Sequence, residues 1–317
     1  MVQDGFRHEA LFYSGADGFL AGTLPFIHEA IADEEPILVA VAGEKIELLR
    51  SRLNGAADRV LFADIRELGR NPALILPAWQ DFVADHASRA RRLRGIGEPV
   101  WPERTSAELA ECDHHESLLN LAFERGPSWR LMCPYDTAAL DSSSIVGAEH
   151  NHPYIREQGA ERESHAYREP EATRAPFQGR LPSPTVAPDE LAFESPDDVQ
   201  GVRQFVADHA AAGGANPDRA DGLVLAVDEV VANALRHGGG WGVVRAWSEG
   251  GRVVCEVSDS GTISDPLVGR TRPDLDRPDG RGLWIANHFC DLVQIRSSRA
   301  GTVVRCHLSL AETAVPA

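Results

Sequence analysis

The stretch DGLVLAVDEVVANALRHGGG, residues 221–240, decides how the C-terminal part of this chain folds. Its apolar residues recur at intervals of three and four positions, which predicts an amphipathic helix with one buried face. The helix is expected to begin near Pro217 and to end at the three glycines that start with Gly238. Because Glu229 and Asn233 are four residues apart, they lie on one side of this helix.

Two interpretations of this pair are open at the level of the helix. A carboxylate can accept a proton or order a water molecule, and an amide oxygen is a hard, neutral ligand suited to Mg²⁺. Glu229 and Asn233 could therefore serve an active site. The same spacing also fits a solvated polar stripe on a surface helix, and the helix alone favours that simpler interpretation.

Three glycine-bearing signals follow the helix in order. Asp259 and Gly261 end a predicted strand, where a carboxylate can accept a hydrogen bond from an exocyclic amine and a glycine lets the chain approach a ligand. Gly280 and Gly282 directly precede a short predicted helix, whose backbone N–H groups could point at phosphate oxygens. Thr302 offers a hydroxyl at the start of the last strand.

A long loop joins the first two of these signals. Residues 262–282 contain no apolar run, and a loop of this length inside a compact domain is typical of a lid over a ligand. The chain therefore places a helix with a carboxylate and an amide, a strand end, a lid and a final strand in one consecutive arrangement.

This order resembles the N, G1, G2 and G3 boxes of the GHKL ATPase superfamily. Within it, DEVVANALRHG and DRPDGRGLWIANHFCDLVQIRSSRAGTVVRCHL look closely like the anti-sigma factor serine/threonine kinases. The resemblance covers residues of about 190–312 and implies an α+β ATPase sandwich, the Bergerat fold, with a mixed or antiparallel sheet that binds ATP and Mg²⁺. The G2 box is a single short GRG, which leaves lid closure and turnover rate open.

The resemblance implies a role for each matching residue. Asn233 would coordinate the Mg²⁺ that bridges the ATP phosphates, and Glu229 would be the general base toward an attacking hydroxyl. Asp259 would receive the adenine amine, Gly261 would allow its close approach, and Thr302 would support the adenine side. The residues that would bind around the phosphates are Gly280, Arg281, Gly282 and Leu283.

Residues 1–157 have a different pattern, in which short apolar runs such as ILVAVA at 37–42 alternate with helical stretches. This alternation predicts a three-layer α/β/α domain with a mostly parallel sheet. The G-x-x-x-x-G-K-[ST] pattern of a phosphate loop is absent after ILVAVA, which excludes an ATPase of that type there. This half also has no nucleophile and base set that would support a metabolic enzyme.

Two weaker candidate sites lie in this half. One is a small-ligand pocket beyond the predicted strand ends, formed by Tyr13, Glu98, Trp101 and Tyr135, although aromatic residues there are also ordinary packing residues. The other is the group Cys112, His114, His115 and Glu116 in a predicted helix. Adjacent residues on a helix point about 100° apart, so an ordinary helix surface is favoured over a metal site.

The N-terminal half resembles the MEDS sensory domain, which occurs in bacterial regulators of one-carbon metabolism and fused to anti-sigma-type ATPase modules. The segments that carry the resemblance are HEALFYSGADGFLAGTLPFIHEAIADEEPILVAV, GEPVWPERTSAELAECDHHESLLNLAF and LMCPYD, within residues 6–157. The resemblance implies a non-catalytic role in sensing a small-molecule ligand or a partner. It does not identify that ligand.

The two halves are joined by a stretch without apolar periodicity. Residues 158–189 carry five prolines and many charges, which predicts a semi-extended linker. We therefore expect a sensory domain at 1–157, a linker at 158–189 and an ATP-binding domain at 190–317. His165 in the linker has no apolar heptad around it, which argues against a phosphoacceptor histidine.

Composition limits the partners and the compartment. The formal charge of −17 disfavours direct nucleic-acid binding and suits a basic protein partner. No run reaches the ~18 apolar residues that a membrane span needs, and the N-terminus is not a secretory signal. The five cysteines include no CxxC pair and are expected to be reduced. We expect a cytoplasmic protein with no membrane contact.

The combined expectation is a transcription regulator that binds Mg·ATP and a sigma factor. As a serine/threonine kinase it would phosphorylate an anti-anti-sigma antagonist, with the N-terminal domain biasing that choice. The alternative is a switch that holds ATP and exchanges partners without catalysis, and the intact pair of Glu229 and Asn233 favours the kinase. A sensor histidine kinase needs a dimerising helix that the linker does not supply. Anti-sigma kinases resembling this chain commonly dimerise, so a homodimer is one oligomeric state left open.

Overall fold

The chain is two compact units, Met1–Thr173 and Arg174–Ala317. The computed structural model describes residues 5–88, 92–169, 177–273 and 280–310. The predicted fold class, a two-domain α/β protein with a mostly parallel N-terminal sheet, is confirmed. The domain boundaries stay a prediction, and a short strand, Ala160–Glu163, lies inside the predicted linker.

The N-terminal unit is built on a seven-stranded sheet. Its strands are β1 Phe6–Tyr13, β2 Ile37–Val41, β3 Leu61–Asp64, β4 Leu93–Gly97, β5 Trp129–Asp136, β6 Tyr154–Glu157 and β7 Ala160–Glu163. They lie in the order β3-β2-β4-β5-β1-β6-β7, and every pairing is parallel except the hairpin of β6 with β7. Parallel neighbours need crossover connections, which explains why helices separate most of these strands in sequence.

Helices cover this sheet. They are α1 Gly15–Ala32, α2 Gly43–Leu53, α3 Ile65–Leu68, α4 Ile75–His86, α5 Ser106–Ala122 and α6 Ser142–Asn151. The central strands β1 and β5 are buried at nearly every position, not at alternate ones, as expected for a sheet covered on both faces.

Helix α5 begins with a capping box and is then buried, contrary to the sequence interpretation. The Glu108 carboxylate accepts a hydrogen bond from the Thr105 backbone N–H at 2.7 Å. The group expected on a helix surface, Cys112, His114, His115 and Glu116, is 1 % exposed or less. The reason is that α5 packs against α4 and α6, and its Glu116 contacts His8 of β1, so residues on several sides of the helix are covered.

The C-terminal unit is a five-stranded antiparallel sheet packed on helices. Its strands are β8 Asp189–Phe193, β9 Gly242–Glu249, β10 Arg252–Asp259, β11 Leu292–Ser298 and β12 Gly301–Ser309, in the order β11-β12-β10-β9-β8. Its helices are α7 Val199–Ala212, α8 Pro217–His237 and α9 Gly282–Phe289.

Helix α8 is the predicted helix, and it forms the centre of this unit's core. Asn216 caps it by accepting a hydrogen bond from the Asp218 N–H at 3.0 Å. Its buried face, which includes Leu223, Val227 and Val231, packs with apolar residues of α7, α9 and the sheet.

The last two observations on the fold concern a possible membrane-spanning helix and the state of the cysteines. Within the described ranges, no helix combines the length and the apolar character that a membrane span requires. All five cysteines are buried and none forms a disulfide.

Candidate functional site

A cavity of about 330 Å³ in the C-terminal unit collects most of the residues predicted from the sequence. The predicted residues that line it are Asn233, Asp259, Gly261, Gly280, Leu283 and Thr302. Part of its wall is apolar and comes from Val230, Ile263, Val268 and Val304. The cavity is therefore of the kind that holds a small ligand, with an apolar lining and a few polar groups.

The antiparallel pairing of β10 with β12 brings two of these residues together. Asp259 lies directly opposite Thr302 in this pair, so the end of one strand meets the start of the other. The Thr302 hydroxyl donates to the carbonyl oxygen of Gly261 at 2.9 Å, and the Gly261 N–H donates to Asp259 Oδ1 at 2.6 Å. These two bonds hold the turn after β10 in one conformation.

Ser297 on β11 extends this network, and the sequence interpretation missed it. Its hydroxyl accepts from the Ile263 N–H at 2.7 Å and lies 2.8 Å from the Thr302 hydroxyl. Because Thr302 donates to a carbonyl, Ser297 donates to Thr302. No motif marks Ser297, and only the β11–β12 pairing places it opposite Thr302.

Asp259 has a carboxylate that is half-buried at the cavity. Burial raises its pKa, and the hydrogen bond from the Gly261 N–H opposes that shift. The bond from Gly261 engages Oδ1, which leaves Oδ2 to accept a hydrogen bond from a ligand amine.

Three glycines allow the chain to pass close to Asp259. A Cβ atom at Gly238 would lie 2.5 Å from the Asp259 carboxylate, and one at Gly261 would lie 2.7 Å from the Gly238 Cα. Gly301 has a φ of +125°, and a Cβ there would collide with the Asp259 carbonyl oxygen. Gly238, the first of the glycines that the sequence marks as a helix stop, therefore also makes room for this carboxylate.

The start of α9 packs directly onto the polar face of α8. A Cβ at Gly282 would lie 2.9 Å from Asn233 Nδ2 and 3.0 Å from Glu229 Oε2. Glu229 and Asn233 are therefore together, both half-buried, at the N-terminus of α9. Gly282, Glu229 and Arg281 are not among the residues that line the cavity.

Two further observations concern the expected phosphate side. Arg236 donates a hydrogen bond to Asn233 Oδ1 at 3.4 Å, so coordination of a metal by this oxygen requires that bond to be exchanged. Gly280 has a φ of +91°, and Arg281 occupies the N-cap position of α9 without a side-chain capping bond. Residues 274–279 of the predicted lid lie outside the described residues.

In the N-terminal unit, two of the four predicted strand-end residues, Tyr13 and Glu98, form a hydrogen bond. The Tyr13 hydroxyl donates to Glu98 Oε1 at 2.7 Å, and Lys45 Nζ donates to the same oxygen at 2.6 Å. Burial raises the pKa of Glu98 and outweighs the opposing effect of Lys45. Lys45, which the sequence interpretation left out, lies at the start of α2 just beyond β2.

The other two strand-end residues lie elsewhere. Trp101 packs under the Arg104 guanidinium, whose Cζ is 3.6 Å from the ring centroid. Tyr135 lines a cavity of about 630 Å³ with residues of α5 and α6. The four predicted residues therefore do not form a single pocket.

The predicted group on α5 does not converge either. The Cys112 thiol donates to the Pro99 carbonyl oxygen at 3.3 Å, and burial raises its pKa to about 12. Glu116 instead lies beside His8 and His152. Among the described residues, Cys112, His114 and His115 belong to no group with the spacing of a metal site.

Comparison with protein families gives one match for each half. Residues 7–153 match the MEDS family, the methanogen/methylotroph DcmR sensory domain. Residues 194–308 match the histidine kinase-like ATPase domain. The chain thus joins a MEDS domain to a histidine kinase-like ATPase domain. For each half, this confirms the predicted resemblance at the level of the domain family. None of the curated proteins compared with the chain matches it.

The similar solved structures each match 40–43% of this chain, which is about the length of one domain. The RsbU and RsbW domains of a Mycobacterium tuberculosis protein are 24% identical over 41% of this chain and 34% of that chain, with a TM-score of 0.29. The Acinetobacter baumannii histidine kinase AdeS is 13% identical over 40% of this chain and 70% of that chain, with a TM-score of 0.25. The histidine kinase domain of the E. coli osmosensor EnvZ is 18% identical over 43% and 97%, with a TM-score of 0.24. This chain therefore spans about a third of the mycobacterial structure.

Proposed function

We propose that the C-terminal unit binds Mg·ATP in the cavity between α8, α9 and the ends of β10 and β12, and that the chain is a regulatory protein kinase. It would bind a sigma factor as an anti-sigma factor and phosphorylate a Ser or Thr of an anti-anti-sigma protein. One observation carries the proposal. Asn233, Asp259 and Thr302, far apart in sequence, all line one cavity in a domain of an ATPase family.

The adenine would bind at the Asp259 end of the cavity. Asp259 Oδ2 would accept the exocyclic amine, while the bonded turn at Gly261 keeps the carboxylate in place. Thr302 would act on the same side by fixing the Gly261 carbonyl. Val304 and Val268 supply apolar surface for a flat ring.

The phosphates would bind at the other end, between α8 and the start of α9. Asn233 Oδ1 would bind Mg²⁺ once its bond from Arg236 is exchanged. The metal would neutralise phosphate charge during transfer. The backbone N–H groups at Gly280–Leu283 would point at the phosphate oxygens, with Arg281 adding positive charge.

Glu229 would act as the general base. It lies beside Asn233 at the N-terminus of α9, so it is near the place where the terminal phosphate would lie. The hydroxyl oxygen of the acceptor Ser or Thr would bond to the γ-phosphorus as the bond to ADP breaks, and Glu229 would take the hydroxyl proton.

The second candidate is a switch that holds ATP and exchanges partners without transfer. It is favoured by the bond from Arg236 to Asn233, which competes with the metal, and by the short GRG sequence. A histidine kinase is less well supported because His165 lies in a turn after β7 and not on a helix. A homodimer and a sensory MEDS domain that biases partner choice complete the proposal.

Calorimetric titration of the full chain with Mg·ATP tests the binding site. Asn233→Ala is expected to abolish binding, and Glu229→Ala is expected to retain binding but lose phosphoryl transfer. Asp228→Ala is the matched control, because Asp228 is the neighbour of Glu229 on α8 but pairs with Arg203 at 2.8 Å. A wild-type chain that binds no ATP contradicts the proposal.

Co-purification from native cells, followed by incubation with labelled ATP, separates the alternatives. Label on a Ser or Thr of a partner supports the kinase. A bound but unlabelled sigma factor supports the switch. Label on a histidine of the chain itself supports a histidine kinase and contradicts both.

A further inference from the structure

Four polar side chains of the N-terminal unit meet in its interior, and one of them is Glu116 of α5. They are His8, Glu116, Cys133 and His152, and each is 1 % exposed or less. One ligand atom from each lies within 4.8 Å of the others. The residues belong to β1, α5, β5 and the position just after α6, so the tertiary fold assembles the group.

The shortest contacts centre on the Glu116 carboxylate. Glu116 Oε2 lies 3.1 Å from His8 Nε2 and 3.2 Å from His152 Nε2, and His8 Nε2 lies 3.4 Å from Cys133 Sγ. The contacts of Glu116 lack the alignment of hydrogen bonds. Among the described residues, neither oxygen of Glu116 nor Nε2 of His152 has a hydrogen-bond partner.

The outer nitrogen of each histidine shows which ring nitrogen carries the proton. His152 Nδ1 lies 2.8 Å from the Ala148 carbonyl oxygen, which can only accept, so Nδ1 is the donor. Asn120 Nδ2 donates to the Asn151 carbonyl at 2.7 Å, which turns Asn120 Oδ1 toward His8 Nδ1 at 3.2 Å. His8 therefore also donates from Nδ1.

Apart from the Cys133 thiol, whose S–H can donate to His8 Nε2, the inner atoms of the group are consequently acceptors. In a neutral imidazole that carries its proton on Nδ1, Nε2 presents a lone pair. Two such lone pairs face a carboxylate and a sulfur in a site without solvent. Buried acceptors in mutual contact are unfavourable unless a positive charge, either a proton or a metal ion, lies among them.

We propose that His8, Glu116, Cys133 and His152 bind one divalent metal ion of the zinc class in a tetrahedral site. Zinc–ligand bonds of about 2.0–2.3 Å place the ligands of a regular tetrahedron about 3.3–3.8 Å apart. Three of the ligand pairs, at 3.1–3.4 Å, are close to that spacing, and all of the ligand atoms lie within 4.8 Å of one another. Imidazole, carboxylate and thiolate are the ligands that zinc takes.

The surroundings have the second shell that metal-binding histidines require. Each histidine donates its outer N–H to an oxygen, Asn120 Oδ1 for His8 and the Ala148 carbonyl for His152. Four protein ligands leave no open position for a substrate, which is typical of a structural site. The ion would tie β1, α5, β5 and the end of α6 together, and Cys133 would lose its proton on binding.

Cobalt substitution of the full-length chain tests the site. After metal removal, wild type is expected to bind one equivalent of Co²⁺, with the visible absorption of a tetrahedral ion and a thiolate-to-cobalt charge-transfer band. Cys133→Ser is expected to lose the charge-transfer band. Cys112→Ser is the matched control, because this buried thiol on α5 bonds to Pro99 and lies outside the group. Equal spectra for wild type and Cys133→Ser would overturn the proposal.

A second variant keeps the test informative if ligand substitutions impair folding. Glu116→Gln supplies amide N–H donors to both imidazole lone pairs, so it is expected to fold without metal and to have a melting temperature independent of Zn²⁺. The melting temperature of wild type is expected to rise with Zn²⁺ and fall with a chelator. Asn120→Ala, which removes the outer partner of His8, is expected to weaken metal affinity about 10–100-fold. A wild-type melting temperature that does not respond to Zn²⁺ indicates a proton-bridged group and overturns the proposal.

Discussion

The two units of this chain gather polar side chains in opposite ways. In the C-terminal unit, Asn233 and Asp259 are half-buried around a cavity of about 330 Å³. In the N-terminal unit, Glu116 and the residues around it are closed off from solvent. An accessible rim of polar groups suits a ligand that enters and leaves. A sealed group of acceptors suits an ion that stays, because an empty site would leave their desolvation uncompensated.

The largest effect is expected when one glutamate is replaced in each unit and the losses of stability are compared. Glu116→Ala leaves two buried imidazoles without their carboxylate, and we expect the N-terminal unit to lose about 3–5 kcal/mol of stability. Glu229→Ala changes a half-buried position on α8 to a good helix former, and we expect a change within about 0.5 kcal/mol. Urea unfolding measures both, and added Mg·ATP identifies the C-terminal transition because the ligand stabilises only its own unit. Equal losses in the two variants would mean that burial does not distinguish the two glutamates.

A second prediction compares two glycines of the C-terminal site, one where the chain passes close to another segment and one with open space around it. Gly301→Ala forces a Cβ onto the Asp259 carbonyl at a φ of +125°, and we expect a loss of about 2–3 kcal/mol. Gly280→Ala introduces a Cβ that meets nothing within 4 Å at a φ of +91°, and we expect a loss of about 1 kcal/mol from backbone strain alone. Thermal unfolding of the two variants gives the comparison. A larger loss at Gly280 would contradict the close approach at Gly301.

A third prediction uses the pH dependence of nucleotide binding. In the proposed site the ionised form of Asp259 would accept the adenine amine, and burial raises the pKa of this carboxyl. On acidification, the affinity for Mg·ATP should therefore begin to fall at a pH above ~3.9, the pKa of an ordinary aspartate. At lower pH the affinity should fall by about tenfold per pH unit.

Asp259→Asn is the control for this titration. Its affinity should be weaker at neutral pH and should follow only the titration of the nucleotide itself. The measurement is calorimetric titration at a series of pH values. Parallel curves for the wild type and the variant would exclude Asp259 as the adenine acceptor.

The smallest expected effect comes from Thr302. Thr302→Val keeps the shape but removes the hydroxyl that donates to Gly261 at 2.9 Å. We expect the C-terminal unit to lose about 1 kcal/mol, the usual net contribution of one hydrogen bond, with a comparable loss of nucleotide affinity. Thr302→Ser retains the donor and should restore most of both. Failure of the serine variant to restore them would show that the methyl group, not the bond, matters.

The C-terminal site could be predicted from the sequence because its signals are local. The four-residue spacing of Glu229 and Asn233 determines that they share a helix face. Gly261 and Gly282, which are predicted to lie beside a ligand, approach other parts of the protein closely: Gly261 lies against Gly238, and Gly282 lies against Glu229 and Asn233. Ser297 could not be predicted, because its contact with Thr302 depends on the pairing of β11 with β12.

The N-terminal group could not be predicted in the same way. Proximity in sequence groups Glu116 with Cys112, His114 and His115. Cys112 shares a helix face with Glu116, but its thiol donates to the Pro99 carbonyl oxygen, whereas Glu116 meets His8 from β1 and His152 from the end of α6. No spacing rule connects residues that are separated by most of a domain.

Local sequence patterns are enough to predict the two fold classes, helix α8 and the glycines at the strand ends. These depend on periodicity and backbone freedom, which act over a few residues. The tertiary structure alone decided that α5 is buried and that His8, Glu116, Cys133 and His152 converge. That convergence depends on the strand order, which places β1 between β5 and β6, and on the packing of α5 against α4 and α6. Which distant side chains come into contact depends on long-range packing, and a local sequence pattern does not contain that information.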